Sequence, residues 1–294
     1  MTVLASVQHI PVNGIEIAYY SWLQTILLDS PPPTTFFAHA TGFHARCWDQ
    51  VVGHLPLRRC YAIDSRGHGQ SSKPPPSEPY AWRNFGEDIA AVGRAQGWDN
   101  MTAVGHSNGG HAITLAAALN PGMFARLILI DPVIMPPEWY GDAPMQGEHY
   151  AAKRRADWES PDEMFNRFKD RLPFSLWNPL VLRDYCAHGL VAKPDGGYTL
   201  ACPPAIEASI YQQSIMGNIY AEIAKVDIPV LVIRLGDRMA KGTDDMIGSP
   251  TAPDLASKFM RGVDMHLPEY THFGPMQDPE RFARIIIDFE ARTK

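Results

Sequence analysis

Two kinds of segment alternate along this chain. Short, predominantly apolar runs occur at Thr34–Ala38, Arg59–Ile63, Met101–Val104, Ala125–Ile130, Pro229–Arg234 and Val263–His266. Between them lie stretches with helical periodicity, at Trp48–Leu55, Tyr80–Gln96, His111–Ala118 and Ala252–Met260. A last helix is capped by Asp278 with Pro279 at its first position, the pairing that satisfies a helix start. Strands that are apolar throughout are buried on both faces, and strands alternating with helices build a parallel sheet. Upstream, Val7–Val12 and Ile15–Trp22 flank Asn13-Gly14, a strong hairpin signal, and Gln24–Leu28 is expected to prolong the second strand. The expected fold is α/β, a doubly wound, mostly parallel sheet.

From Met135 to about Glu222 this alternation stops. The region is helical in pattern, for example over Pro161–Arg171 and Pro179–Leu190, with one strand-like run at Gly197–Ala201. It is rich in large apolar side chains, including Trp139, Tyr150, Trp158, Phe165, Trp177 and Tyr211. We read residues 135–222 as a helical cap and residues 1–134 and 223–294 as the core. Most cap aromatics are expected to be its own core, with a few lining an apolar pocket beneath it.

The 294 residues suffice for a core plus such an insertion. A net charge of −6 discourages nucleic-acid or anionic-membrane binding. No run approaches the length of a membrane span, and the first ten residues lack the basic and apolar regions of a secretory leader. Cys47, Cys60, Cys186 and Cys202 are scattered without metal-binding spacing. They are expected to be free thiols in a cytoplasmic protein, a monomer or homodimer without metal or cofactor.

The chemistry centres on Gly105-His106-Ser107-Asn108-Gly109, between an apolar strand and a small-residue helix. That context is what a nucleophile elbow requires. A serine on a tight strand-to-helix turn leaves no room for a Cβ two positions before or after it, hence Gly105 and Gly109. A serine hydroxyl needs a base, and the base an orienting acid. The best-placed base is His272, on a loop between the last short strand and the last helix. His39, His44, His68, His106 and His111 read as structural or pocket-wall residues.

Three features together resemble the α/β-hydrolase fold over essentially the whole chain. They are Asp64-x-Arg-Gly-His-Gly-x-Ser71, the Gly105–Gly109 elbow and the late His272. The resemblance implies Ser107 as nucleophile and His272 as general base. It also implies an oxyanion hole from the backbone N–H groups of Asn108 and of Thr41, in the loop after His39. That loop departs from the usual His-Gly pair, reading His39-Ala40 with glycine displaced to Gly42. Most relatives carry the acid after the strand that follows the cap, which points to Asp237, with Asp244 and Asp245 nearby. The segment after Asp131 resembles instead the haloalkane dehalogenase subset, whose acid stands at that earlier position. We favour Asp131, with Asp237 the alternative.

A serine at the elbow suits acyl transfer rather than the alkyl-ester chemistry of the aspartate branches. The expected substrate is a small to medium ester, its pocket walled by His39, Phe43, His106, Met135, Trp139 and Phe273. The alternatives are acyl transfer, lactone or carbon–carbon bond hydrolysis, or lyase chemistry on the same residues, and a non-catalytic binding protein.

Overall fold

The computed structural model describes residues 5–23, 32–76, 80–239 and 247–293. Gln24–Leu28, Asp244 and Asp245 lie outside these residues. The strands in chain order are β1 (Ser6–Val12), β2 (Ile15–Leu23), β3 (Thr34–Ala38), β4 (Arg59–Ile63), β5 (Met101–His106) and β6 (Phe124–Ile130). They continue as β7 (Asp157–Trp158), β8 (Leu190–Ala192), β9 (Tyr198–Leu200), β10 (Val230–Leu235) and β11 (Gly262–Leu267). Eight of them form one sheet in the order β1-β2-β4-β3-β5-β6-β10-β11. The β1–β2 hairpin and the β2–β4 pair are antiparallel, and every later pair is parallel.

Successive residues of a strand point to opposite faces, and both faces of this sheet are covered. Phe36, Ala103, Leu127 and Val232 pack with Phe85, Ile89 and Ile113 from helices Trp82–Gln96 and Asn108–Leu119. Their chain neighbours Phe37, Val104, Ile128 and Ile233 pack with Val51, Val52, Phe282 and Ile286 from helices Asp49–His54 and Pro279–Arg292. Burial on both sides is why these strands carry no polar alternation.

The chain between β6 and β10 holds helices Pro161–Phe168, Pro179–His188 and Pro204–Gln213, each with proline in its first turn. The Ser160 hydroxyl accepts from Glu163 N at 3.1 Å, and Asn178 Oδ1 accepts from Leu180 N at 2.9 Å. These capping bonds fix two of the helix starts. The segment is less purely helical than its pattern suggests, because β7, β9 and β8 form a three-stranded antiparallel sheet. Two- and three-residue strands are too short to show a period. The helix expected over Ala252–Met260 is reduced to a 3-10 turn at Leu255–Lys258. There Ser257 Oγ donates to the Asp254 carbonyl at 2.7 Å, a local bond that competes with helix formation.

All four cysteines are free and buried. Among the described residues, no helix is long and apolar enough to cross a membrane.

Candidate active site

Ser107 joins β5 to helix Asn108–Leu119 at φ 57° and ψ −119°. This conformation is unfavourable for a residue with a Cβ and marks a locally strained turn. Close packing explains the flanking glycines. A Cβ on Gly105 would stand 2.5 Å from the Gly109 carbonyl oxygen, and one on Gly109 would strike the Ala38 backbone. The turn is anchored by Ser107 N donating to the Ile130 carbonyl at 3.0 Å.

His272 lies beyond β11, ahead of the short helix Gly274–Gln277. Its loop is pinned by Gln277 Oε1, which accepts from both Thr271 N and Thr271 Oγ1 at 2.9 Å. His272 Nε2 is 3.1 Å from Ser107 Oγ, and Nδ1 is 2.6 Å from Asp131 Oδ2. Asp131 is fully buried just past β6, in the left-handed region at φ 43°, which aspartate tolerates better than most residues. Its other oxygen, Oδ1, accepts from Leu235 N at 3.1 Å, Ser249 Oγ at 2.5 Å and Thr251 Oγ1 at 3.2 Å. A buried carboxylate with this many donors is held in one orientation. Asp237, the rival acid, is exposed. Ser249 and Thr251 were invisible in the sequence, because no motif marks them; only the folded chain brings them to Asp131.

The loop after β3 closes the other side. Gly42 takes φ 78°, and its N–H donates to His68 Nε2 at 2.9 Å. The displaced glycine is therefore committed to a structural bond. Among the described residues, the Thr41 and Asn108 backbone N–H groups have no hydrogen-bond acceptor. The Asp64–Ser71 motif supports this loop. Asp64 accepts from Ala45 N at 2.8 Å and Gln70 N at 2.7 Å, and Arg66 holds Asp88 at 2.7 Å.

A cavity of about 400 Å³ opens above Ser107 and His272. Thr41, Phe43, Met135, Trp139 and Phe273 line it, joined by Tyr150 and Tyr211. His39 and His106, expected on its wall, are instead buried behind it. His39 accepts from Ser65 N at 2.9 Å, and His106 Nε2 donates to the His272 carbonyl at 2.8 Å. Each imidazole braces a loop through this bond, and neither lines the cavity. One group of metal-ligating side chains converges among the described residues, Asp49, Asp184 and His188. Its carboxylates are already occupied, Asp49 by Arg46 and by Trp22 Nε1 at 3.1 Å, Asp184 by Gln50 at 2.6 Å.

Burial holds several histidines neutral. The His111 pKa is pushed down to about 4, and that of His44 to about 3; His39, His68 and His106 are also lowered. Their unfolded forms take protons below about pH 6.5. The native state is thus favoured above that pH and loses this advantage as pH falls toward the folded values. A histidine whose folded value lies well below 5, as for His111 and His44, removes about 2 kcal/mol of stability by pH 5. The melting temperature is expected to fall steeply from pH 7 to pH 5. His111→Gln, which retains an N–H for the Gly217 carbonyl that His111 bonds at 2.8 Å, should flatten that fall. An unchanged slope would remove His111 from the account.

The profile described as the alpha/beta hydrolase family matches residues 36–285. A serine hydrolase-like protein from Mus musculus is 36% identical over 100 residues, 34% of this chain; the chain spans about a third, 32%, of that relative's length. An abhydrolase domain-containing protein from Alternaria alternata is 26% identical over 218 residues, 64% of this chain and 82% of the relative. Among solved structures, a peroxisomal alpha-beta-hydrolase from Saccharomyces cerevisiae superposes with a TM-score of 0.78 at 14% identity, covering 99% of this chain and 88% of that one. An E-2-(acetamidomethylene)succinate hydrolase superposes at 0.73 with 18% identity, covering 98% and 100%. At such identities the structural likeness speaks for the fold alone.

Proposed function

The chain belongs to the alpha/beta hydrolase family, and on that footing we propose that it is a serine hydrolase cleaving carboxylic esters of small to medium, largely apolar substrates. The observation carrying this reading is a single imidazole, His272, that reaches Ser107 through one nitrogen and Asp131 through the other.

In this mechanism His272 Nε2 takes the Ser107 proton while Oγ attacks the ester carbonyl carbon. Asp131 accepts from Nδ1–H, which keeps Nε2 free as the base and stabilises the imidazolium that forms. The carbonyl oxygen becomes an oxyanion received by the N–H groups of Thr41 and Asn108. Asn108 opens a helix, so its N–H adds the positive end of the helix dipole. Losing one such donor typically costs about 10²–10³ in rate. Collapse of the intermediate breaks the ester C–O bond, and the imidazolium protonates the departing alkoxide. Water, deprotonated by His272, then adds to the acyl carbon, and the imidazolium returns that proton to Ser107 Oγ as the acid departs. Residues 135–222 serve as a cap whose Trp139, Tyr150 and Tyr211 give the cavity its apolar walls. Lactones and thioesters would pass through the same acyl-enzyme.

The test is labelling with a fluorophosphonate, followed by peptide mass spectrometry. Wild-type protein should carry one adduct, on the peptide holding Ser107, and Ser107→Ala none. Folded wild-type protein that takes no label would overturn the proposal.

A further inference from the structure

A second cavity, of about 360 Å³, adjoins the first. The two share Thr41, Phe43, Tyr150, Tyr211 and Phe273 as a common wall. Their linings differ in kind. The first has no Asp, Glu, Lys or Arg in its lining, whereas the second is lined by Arg154, Arg155, Arg167 and Arg171 against one carboxylate, Glu207.

Two of these arginines are spoken for. Arg154 pairs with buried Glu207 and donates to the Tyr185 hydroxyl at 3.0 Å. Arg155 forks onto Glu163 at 2.6 and 3.0 Å. Arg167 and Arg171 have no ion pair among the described residues. Two exposed guanidinium groups without an ion pair among the described residues, Arg167 acting on Glu163 only at longer range, thus border a cavity that also reaches Thr41 and Gly42 of the proposed oxyanion loop, in a chain whose net charge is −6. Solvated arginines are ordinary on a flat surface. At the rim of a concave site with low-dielectric aromatic walls, their field is focused inward. The guanidinium fork matches carboxylate and phosphate oxygens in geometry as well as charge.

We propose that the second cavity is an anion subsite, and that the substrate carries a carboxylate or phosphate group beyond its reacting carbonyl. The apolar cavity holds the hydrocarbon part, Ser107 faces the carbonyl, and Arg167 and Arg171 receive the anionic end. This rests on the ester-hydrolase reading for the position of the carbonyl, but not for the binding of the anion.

The experiment has a turnover arm and a binding arm. Turnover compares monoethyl adipate and monoethyl suberate with their diethyl esters, and the butyryl ester of 2-phosphoethanol with ethyl butyrate. Binding of the same compounds to Ser107→Ala protein is measured by titration calorimetry. At least one anionic member is expected to exceed its neutral counterpart tenfold or more in kcat/KM and in affinity. Preference for the half-esters identifies a carboxylate subsite, and preference for the phosphoethanol ester a phosphate subsite. Arg167→Gln/Arg171→Gln should abolish the advantage while leaving neutral-ester turnover and the melting temperature unchanged. Neutral members bound as well as or better than anionic ones in every pair would overturn the subsite. So would a double variant that loses both classes equally. Arginine-dependent anion binding with no turnover of any ester, and no fluorophosphonate label, would keep the subsite and refute the hydrolase reading.

Discussion

Asp131→Asn is expected to lower kcat by about 10⁴-fold, the scale seen when the acid of such a triad loses its charge. The Asp131 carboxylate serves four donors at once, His272 through Oδ2 and Leu235, Ser249 and Thr251 through Oδ1. An asparagine amide has one oxygen and one NH₂. With the NH₂ toward His272, the proton of the imidazole is driven to Nε2, which then cannot accept the serine proton. With the NH₂ toward the other side, it meets three donors in a fully buried site, and an unsatisfied buried group costs about 1–3 kcal/mol. Both the rate and the melting temperature should therefore fall. Asp237→Asn, at an exposed position, should change neither. Steady-state hydrolysis of a nitrophenyl ester by the two variants decides the matter. A loss confined to Asp237→Asn would reassign the acid.

The second large effect separates chemistry from strain at the elbow. Ser107→Ala and Ser107→Gly should each reduce kcat by about 10⁶-fold, since either removes the proposed nucleophile. Their stabilities should differ. At φ 57° and ψ −119° the alanine keeps a Cβ in a strained conformation, whereas glycine has none, and such strain is worth about 1–3 kcal/mol. Ser107→Gly should accordingly melt higher than Ser107→Ala, and at or above wild type. Calorimetric melting of the three proteins reads this directly. Equal melting temperatures for the two variants would mean that the turn stores no strain.

The features legible in the sequence were those set by local constraints. The Asn13-Gly14 hairpin forms at the predicted place, with Asn13 at φ 49° and Gly14 at φ 77°. Asp278 caps the last helix by accepting from Arg281 N at 3.0 Å. Gly105 and Gly109 read as close-approach positions because a turn of that shape forces the chain against itself, and the Gly109 and Ala38 backbones are what they meet. Continuous apolar runs identified the parallel strands, since burial on both faces leaves no period to misread. Patterns failed where elements were shorter than a period, as in the three-stranded sheet, or where a side chain competed with the helix, as at Ser257.

The relation between distant side chains was beyond the reach of pattern. Asp131 and Asp237 both precede His272 in the chain, and only a resemblance in the segment after Asp131 favoured it; the contact itself, across 141 residues of sequence separation, depends on which carboxylate the ends of β6 and β10 bring to the histidine. His39 and His106 looked like pocket residues because they neighbour Ser107 or the proposed oxyanion loop in sequence, yet both are buried and brace backbone instead. The paired cavities, apolar and arginine-lined, exist only once side chains from residues 135–222 meet Thr41, Phe43 and Phe273. Sequence by itself determined the fold, the elbow and the order of the reactive groups, because dihedral preference and burial act on neighbours. Tertiary structure alone decided which carboxylate meets the histidine and what the site is shaped to hold, because those depend on packing between segments that share no local constraint.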